Sequence, residues 1–216
     1  MVTSTGRLNV LQLRVLEALA GVEPRFVLSG GAALAGVHLG HRTTRDLDLF
    51  WRLHDDLGDL PRAVEQRLVS NGLSVATIQT TPSFVQLKVA DQDLTVIVDL
   101  ISEPMDAIDT PETHPIGQSE ILVDSPRSIL AEKLCALLER SELRDLIDVD
   151  ALIRSGESLE LAIADAPRRD SGFSPLTLAW VLRGFDVHGL AKAAGIEATQ
   201  AARLDAFRQE LIDRLI

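Results

Sequence analysis

Arg42-Thr43-Thr44-Arg45-Asp46-Leu47-Asp48-Leu49-Phe50 alternates charged and apolar side chains from Asp46 onward, and that alternation decides how the chain is read. Successive side chains on a strand point to opposite faces, so Asp46 and Asp48 project to one side while Leu47 and Leu49 face the other. Two carboxylates on one strand face can hold one or two divalent cations. Mg²⁺ keeps several of its waters and takes one or two carboxylates together with the phosphates of a substrate. The stretch therefore points to phosphoryl or nucleotidyl transfer. Arg42 and Arg45 flank it, either to bind phosphate or to neutralise the carboxylates.

Upstream, residues 7–20 carry apolar positions at helical spacing, Pro24 punctuates, and residues 25–29 form a short β-like run. Gly30-Gly31 follows, then Ala32-Ala33-Leu34-Ala35, which reads as strand, tight turn and helix. Diglycine lets backbone amides approach a ligand without side-chain obstruction, and a helix start adds unsatisfied N–H groups, so the segment reads as an anion cradle. Downstream, the expected strand is 46–51 and the expected helix 59–71, closed by Asn71-Gly72. Residues 73–80, 84–90 and 94–101 then read as consecutive strands, with Ala90-Asp91-Gln92-Asp93 as a connecting turn. The last of these strands contains Val98-Asp99-Leu100, which puts Asp99 on a strand expected beside the Asp46-x-Asp48 strand. Residues 102–118 are rich in Pro, Asp, Glu and Thr and read as a loop or lid.

Beyond this loop the pattern turns helical. Ser125-Pro126 is a start signal for a helix to about Arg140, a second helix spans about 142–154, and helical patterns recur at 174–185, 187–194 and 198–215. The expected architecture is α/β: a nucleotide-handling core with a mixed sheet over residues 1–122, followed by an all-helical domain over 123–216. No internal repeat or low-complexity tract interrupts it.

Composition narrows the function classes. A net charge of −11 argues against a general nucleic-acid binder with a broad basic surface, whereas a metal enzyme tolerates clustered carboxylates. A lone cysteine, Cys135, excludes an intramolecular disulfide and sits in an apolar helical run. No signal-peptide pattern and no apolar run near ~20 residues is present, so a cytoplasmic, non-membrane protein is expected. The five histidines show no metal-ligand spacing, though His38 and His41 lie close to the site in sequence. Trp51 and Trp180 are expected in the core or at a domain interface rather than as base-stacking platforms.

On a helix, Lys133, Leu137 and Arg140 fall along one side, so a lysine and an arginine share a face. Lysine offers a compact charge to a triphosphate and arginine a bidentate fork. The alternative for Arg140 and Arg144 is a solvated face paired with Glu139 and Glu142. Asp145 and Asp148 share a face of the next helix, where each could pair with an arginine, steer Lys133 or pin the helix hairpin.

Leu28-Ser29-Gly30-Gly31, then Arg42-x-Thr44-x-Asp46-Leu47-Asp48-Leu49, then Lys133-Leu134-x-Ala136-Leu137-x-x-Arg140-x-x-x-Arg144-Asp145-x-x-Asp148 resembles the AbiEii/AbiGii-type nucleotidyltransferase toxins, within the polymerase-β-like superfamily. The ordered motifs cover about residues 25–154, and residues 155–216 match none. The resemblance implies Mg²⁺-dependent transfer of NMP from an NTP, Mn²⁺ being an alternative ion. It implies catalytic roles for Thr44, Asp46, Asp48, Asp99, Lys133 and Asp148, with metal on Asp46, Asp48 and Asp99. Nucleotide would be held by Gly30, Gly31, Arg42, Lys133 and Arg140. Thr44 would hydrogen-bond phosphate or serve as an autophosphorylation-type target. The implied acceptor is RNA, especially the tRNA 3′ end, with a cognate antitoxin as partner. Two readings compete with it: transfer to a small molecule or a protein side chain, and a non-catalytic binding module of the same fold.

Overall fold

The computed structural model describes residues 7–216, which separate into two compact units, one ending at Ser125 and the other spanning Pro126–Ile216. The first unit is built on a seven-stranded sheet in the order β3-β4-β5-β2-β1-β7-β6. Its strands are β1 (Val27–Ser29), β2 (Asp46–Arg52), β3 (Ser74–Thr80), β4 (Phe84–Asp91), β5 (Leu94–Glu103), β6 (Glu112–Ile116) and β7 (Ser119–Val123). β2 runs parallel to β5 and β1 parallel to β7, while the remaining neighbours are antiparallel, so the sheet is mixed.

The period-2 pattern sets which face is core. Leu47, Leu49 and Trp51 of β2, Val85, Leu87 and Val89 of β4, and Val96, Val98 and Leu100 of β5 are all buried. Their alternates, Asp46, Asp48, Asp99 and Gln86, are half-buried on the opposite face. Helix α1 (Val10–Leu19) packs against α3 (Leu60–Ser70) and β5. It opens with a capping box, in which the Asn9 side chain accepts from the Gln12 backbone amide at 2.9 Å and the Gln12 side-chain Oε1 accepts from the Asn9 backbone amide at 2.8 Å. Gln12 also donates to the Thr44 carbonyl at 3.2 Å, tying α1 to the segment that leads into β2.

β1 ends at Ser29 and helix α2 (Gly30–Ala33) begins at the next residue, continuing as a π-helical turn over Leu34–His38. Gly30 has φ +60°, a conformation that costs any residue with a Cβ. The tight turn expected between strand and helix is therefore compressed into one glycine.

The loop expected over 102–118 needs correction, because its second half is β6, which forms a hairpin with β7. Gly117 (φ +59°) and Gln118 make the two-residue turn between the paired Ile116 and Ser119. Pro115 is tolerated because β6 is the edge of the sheet. Only Ile116 of β6 is buried, so the strand carries almost no hydrophobic pattern.

The second unit contains α4 (Pro126–Arg140), α5 (Leu143–Arg154), α6 (Leu159–Asp165) with a 3₁₀ turn at Ala166–Arg168, α7 (Pro175–Arg183), α8 (Val187–Ala193) and α9 (Ala198–Leu215). Ser158, Ser174 and Asp186 cap α6, α7 and α8 by accepting from the amide three residues on. Trp180 departs from expectation at 72% exposed: Leu178, Ala179 and Leu182 take the inward face of α7, which turns Trp180 and Leu176 outward. Trp51 is core, with its indole N–H donating to the Pro24 carbonyl at 2.8 Å. Among the described residues no helix is long and apolar enough to cross a membrane.

Candidate active site

Sheet register gathers the carboxylates of the first unit. Asp48 is paired laterally with Asp99 across β2 and β5, and with Ser29 across β2 and β1. Asp46 lies two residues along the same face, opposite Ile97. On β4, Gln86 pairs with Asp99 and donates its amide N–H to the Asp99 Oδ1 at 2.9 Å. A polar row Gln86, Asp99, Asp48, Ser29 thus crosses four strands, ending where the diglycine begins.

The diglycine is lined by the quoted stretch. A Cβ on Gly30 would run into the Asp48 carboxylate, and one on Gly31 would stand 2.8 Å from the Arg42 Nη2 and 3.2 Å from the Thr44 Oγ1. Gly30 is therefore required by its backbone angle and by the close approach of Asp48, whereas at Gly31 the crowding comes from the far end of Arg42 and from the Thr44 hydroxyl. The result is an arginine and a hydroxyl over one glycine and a carboxylate over the other, an arrangement able to hold a phosphate that shares a cation with Asp48. Arg42 also donates to the Thr43 carbonyl at 3.0 Å.

Asp46, Asp48 and Asp99 are hard oxygen donors, the ligand type that Mg²⁺ and Mn²⁺ take. No group of three or more His, Cys, Asp or Glu among the described residues is drawn together as a ready-made metal cage. Mg²⁺ needs only one or two carboxylates when phosphates and waters complete its shell, so the Asp46 and Asp48 pair fits the ion without a third ligand.

The helical unit has its own buried charge cluster. The Lys133 ammonium lies 2.9 Å from the Asp145 Oδ1 and 3.0 Å from the Asp148 Oδ2, with both carboxylates fully buried. Arg140 grips Asp145 with two bonds of 2.8 Å. Burial alone would lower Lys133, but the charges of Asp148 and Asp145 outweigh it and hold the ammonium above its ordinary pKa. Burial likewise pushes Asp145 up, yet the Arg140 fork and Lys133 hold it below the usual carboxylate range.

The model of a family described as "Nucleotidyl transferase AbiEii toxin, Type IV TA system" matches residues 14–215. The chain belongs to this family. It is a nucleotidyltransferase, and the AbiEii family is one of toxins from toxin–antitoxin pairs. No curated protein matches its sequence significantly. Among solved structures, it is similar to MenT4, a nucleotidyltransferase toxin of Mycobacterium tuberculosis H37Rv, at 18% identity and TM-score 0.59, covering 95% of this chain and 91% of that one. JHP933 of Helicobacter pylori matches at 21% identity and TM-score 0.52, over 95% and 90% of the two chains. The antibiotic-resistance factor ANT(2'')-Ia matches at 14% identity and TM-score 0.51, over 76% and 94%. At these identities the likenesses establish the nucleotidyltransferase fold.

Within this AbiEii-family chain, the structure brings Gly30, Gly31, Arg42, Thr44, Asp46, Asp48 and Asp99 together in the first unit. It brings Lys133, Arg140, Asp145 and Asp148 together in the second. Arg140 is engaged with Asp145, and Arg144 pairs with Glu142 at 2.5 Å. His38 sits 2.8 Å from the Asp124 carbonyl and edge-on to His114, and burial lowers its pKa. One residue escaped the motif reading, Gln86, which holds Asp99; Asp145, expected to pair with an arginine, steer Lys133 or pin the hairpin, is the hub of the Lys133 cluster. Gln86 carried a signal: the two-residue turn Gln92-Asp93 pairs Asp91 with Leu94, and counting back from it pairs Gln86 with Asp99.

Proposed function

We propose that this AbiEii-family enzyme transfers NMP from an NTP to the 3′ hydroxyl of an RNA, tRNA foremost, with Mg²⁺ (or Mn²⁺) as the working ion. The observation that carries the reading is the lateral alignment of Asp48 with Asp99 beside a diglycine lined by Arg42 and Thr44. Gly30 and Gly31 amides, Arg42 and the Thr44 hydroxyl hold the triphosphate. Asp46 and Asp48 would hold the ion, whose chemistry when bound would be to neutralise charge developing on the phosphates. Asp99, oriented by Gln86, takes the proton of the acceptor hydroxyl. The acceptor oxygen then bonds to the α-phosphorus, the bond from that phosphorus to the bridging oxygen breaks, and pyrophosphate leaves.

In the helical unit, Lys133 and Asp148 take the phosphate-binding role that the family motif implies, with Asp145 and Arg140 fixing the lysine. The action is placed in the cytoplasm, opposed by a cognate antitoxin. A cationic small-molecule acceptor is the second reading, favoured by the net charge of −11. Incubating the purified protein with Mg²⁺, each labelled NTP and total tRNA tests the proposal. Label should enter RNA, and Asp46→Ala should abolish its transfer. No transfer to RNA under any NTP would refute the RNA acceptor, and persistence of transfer in Asp46→Ala would place the metal elsewhere.

A further inference from the structure

Lys88 is the only lysine before residue 126, in a chain whose cations are overwhelmingly arginine. On β4, Phe84, Gln86 and Lys88 alternate with the buried Val85, Leu87 and Val89, so they share one face. The hydrogen bond from Gln86 to Asp99 identifies that face as the carboxylate face. Lys88 pairs with Ile97, whose other lateral neighbour is Asp46, giving a second row, Lys88, Ile97, Asp46, beside the row that holds Asp48 and Asp99. Diagonal neighbours on adjacent antiparallel strands stand roughly 7–8 Å apart, so a lysine stem can carry its ammonium past Asp99. Lys88 is exposed, and its side chain makes no hydrogen bond or ion pair with any described residue. A cation this close to carboxylates and paired with none of them is available to an anionic ligand.

The strand order separates two sides of the site. The diglycine lies beyond β2 on the β1 side, while Gln86 and Lys88 lie beyond β5 on the β4 side. With the triphosphate at the diglycine, the acceptor hydroxyl meets Asp99 from the β4 side. We infer that Lys88 is an acceptor-specificity residue: its ammonium binds a backbone phosphate of a polynucleotide acceptor near the attacked hydroxyl, and so selects RNA over a cationic small molecule. The inference rests on the proposed nucleotidyl transfer to RNA and adds to it the residue that selects that acceptor.

The test compares wild type, Lys88→Glu and Lys88→Arg as full chains, with Mg²⁺, labelled NTP and tRNA, alongside fluorescence anisotropy of labelled tRNA at several salt concentrations. For Lys88→Glu, losing one phosphate contact should raise the tRNA Kd and KM about tenfold and flatten the slope of log Kd against log salt by roughly 0.7–0.9. The KM for NTP should stay at the wild-type value, and Lys88→Arg should restore RNA binding. Unchanged thermal unfolding of Lys88→Glu, expected for an exposed side chain, ties the effect to the contact. RNA labelling by wild type with the same KM and salt slope in Lys88→Glu overturns the inference and leaves nucleotidyl transfer standing. Label found only on small hydroxyl compounds or protein also overturns it. Wild type that labels no acceptor of any kind overturns the underlying reading instead.

Discussion

Replacing Gly30 and Gly31 separately by alanine separates backbone strain from side-chain crowding within one diglycine. At Gly30 two costs combine. A residue with a Cβ held at φ +60° pays about 1–2 kcal/mol. The new Cβ also collides with the Asp48 carboxylate, and forcing that side chain off its rotamer adds about 0.5–1.5 kcal/mol. The sum is about 2–3 kcal/mol, which with a urea m-value of about 2–3 kcal/mol/M lowers the unfolding midpoint by about 1 M. Gly31 lies at ordinary helical angles, and its Cβ would meet the far end of Arg42, a flexible side chain that can swing away. Helix propensity moreover favours alanine there by up to about 1 kcal/mol, so Gly31→Ala should stay within about 1 kcal/mol of wild type. Urea unfolding followed by circular dichroism reads both. On the proposed binding mode, both variants should lose thermal stabilisation by Mg²⁺ and NTP, Gly30→Ala through Asp48 and Gly31→Ala through Arg42. Equal urea midpoints for the two alanine variants would refute the reasoning.

The buried cluster of the helical unit gives a second stability test. Lys133→Met leaves Asp145 and Asp148 in the core without their ammonium and should cost about 3–5 kcal/mol in urea unfolding; a loss under 1 kcal/mol would show that the lysine does not hold the cluster together. Asp145 is held below its ordinary pKa of 3.8, so its stabilisation is present above that value and lost as pH falls through the folded-state pKa. The gap in stability between wild type and Asp145→Asn should therefore close on acidification below about pH 4, and a gap that widened would contradict the assignment. Lys133 is shifted upward, so its contribution persists across neutral pH and is lost only above the ordinary lysine range. Burial pushes the Cys135 thiol up to about 12, so the folded protein should resist a thiol reagent at pH 8 and react once unfolded; rapid labelling of the native chain would contradict this.

Most of the first unit was legible because its strands are short, alternating and separated by recognisable turns. Asp46-Leu47-Asp48-Leu49 announced one polar and one core face, and the structure buries Leu47 and Leu49 completely. The hairpin of β6 and β7 was hidden because five residues with a proline and one buried side chain carry no period. Trp180 was misread for a different reason: a tryptophan suggests core by its size, yet its azimuth on α7 is set by Leu178 and Leu182, four residues apart, which claim the inward face. The helical motif shows what a motif cannot say. Lys133 and Arg140 on one helix face read as a basic surface for phosphate, but the next helix supplies Asp145 and Asp148, two negative charges against two positive ones. The cluster is therefore close to neutral before any ligand arrives. Phosphate held there must compete with a carboxylate for each cation, whereas the diglycine adds open backbone, set by the positive φ of Gly30, to the arginine beside it. By that comparison the strength of triphosphate binding should follow Arg42 more closely than Arg140, a ranking that NTP titrations of Arg42→Ala and Arg140→Ala would reverse if the helical cluster were the main anion site.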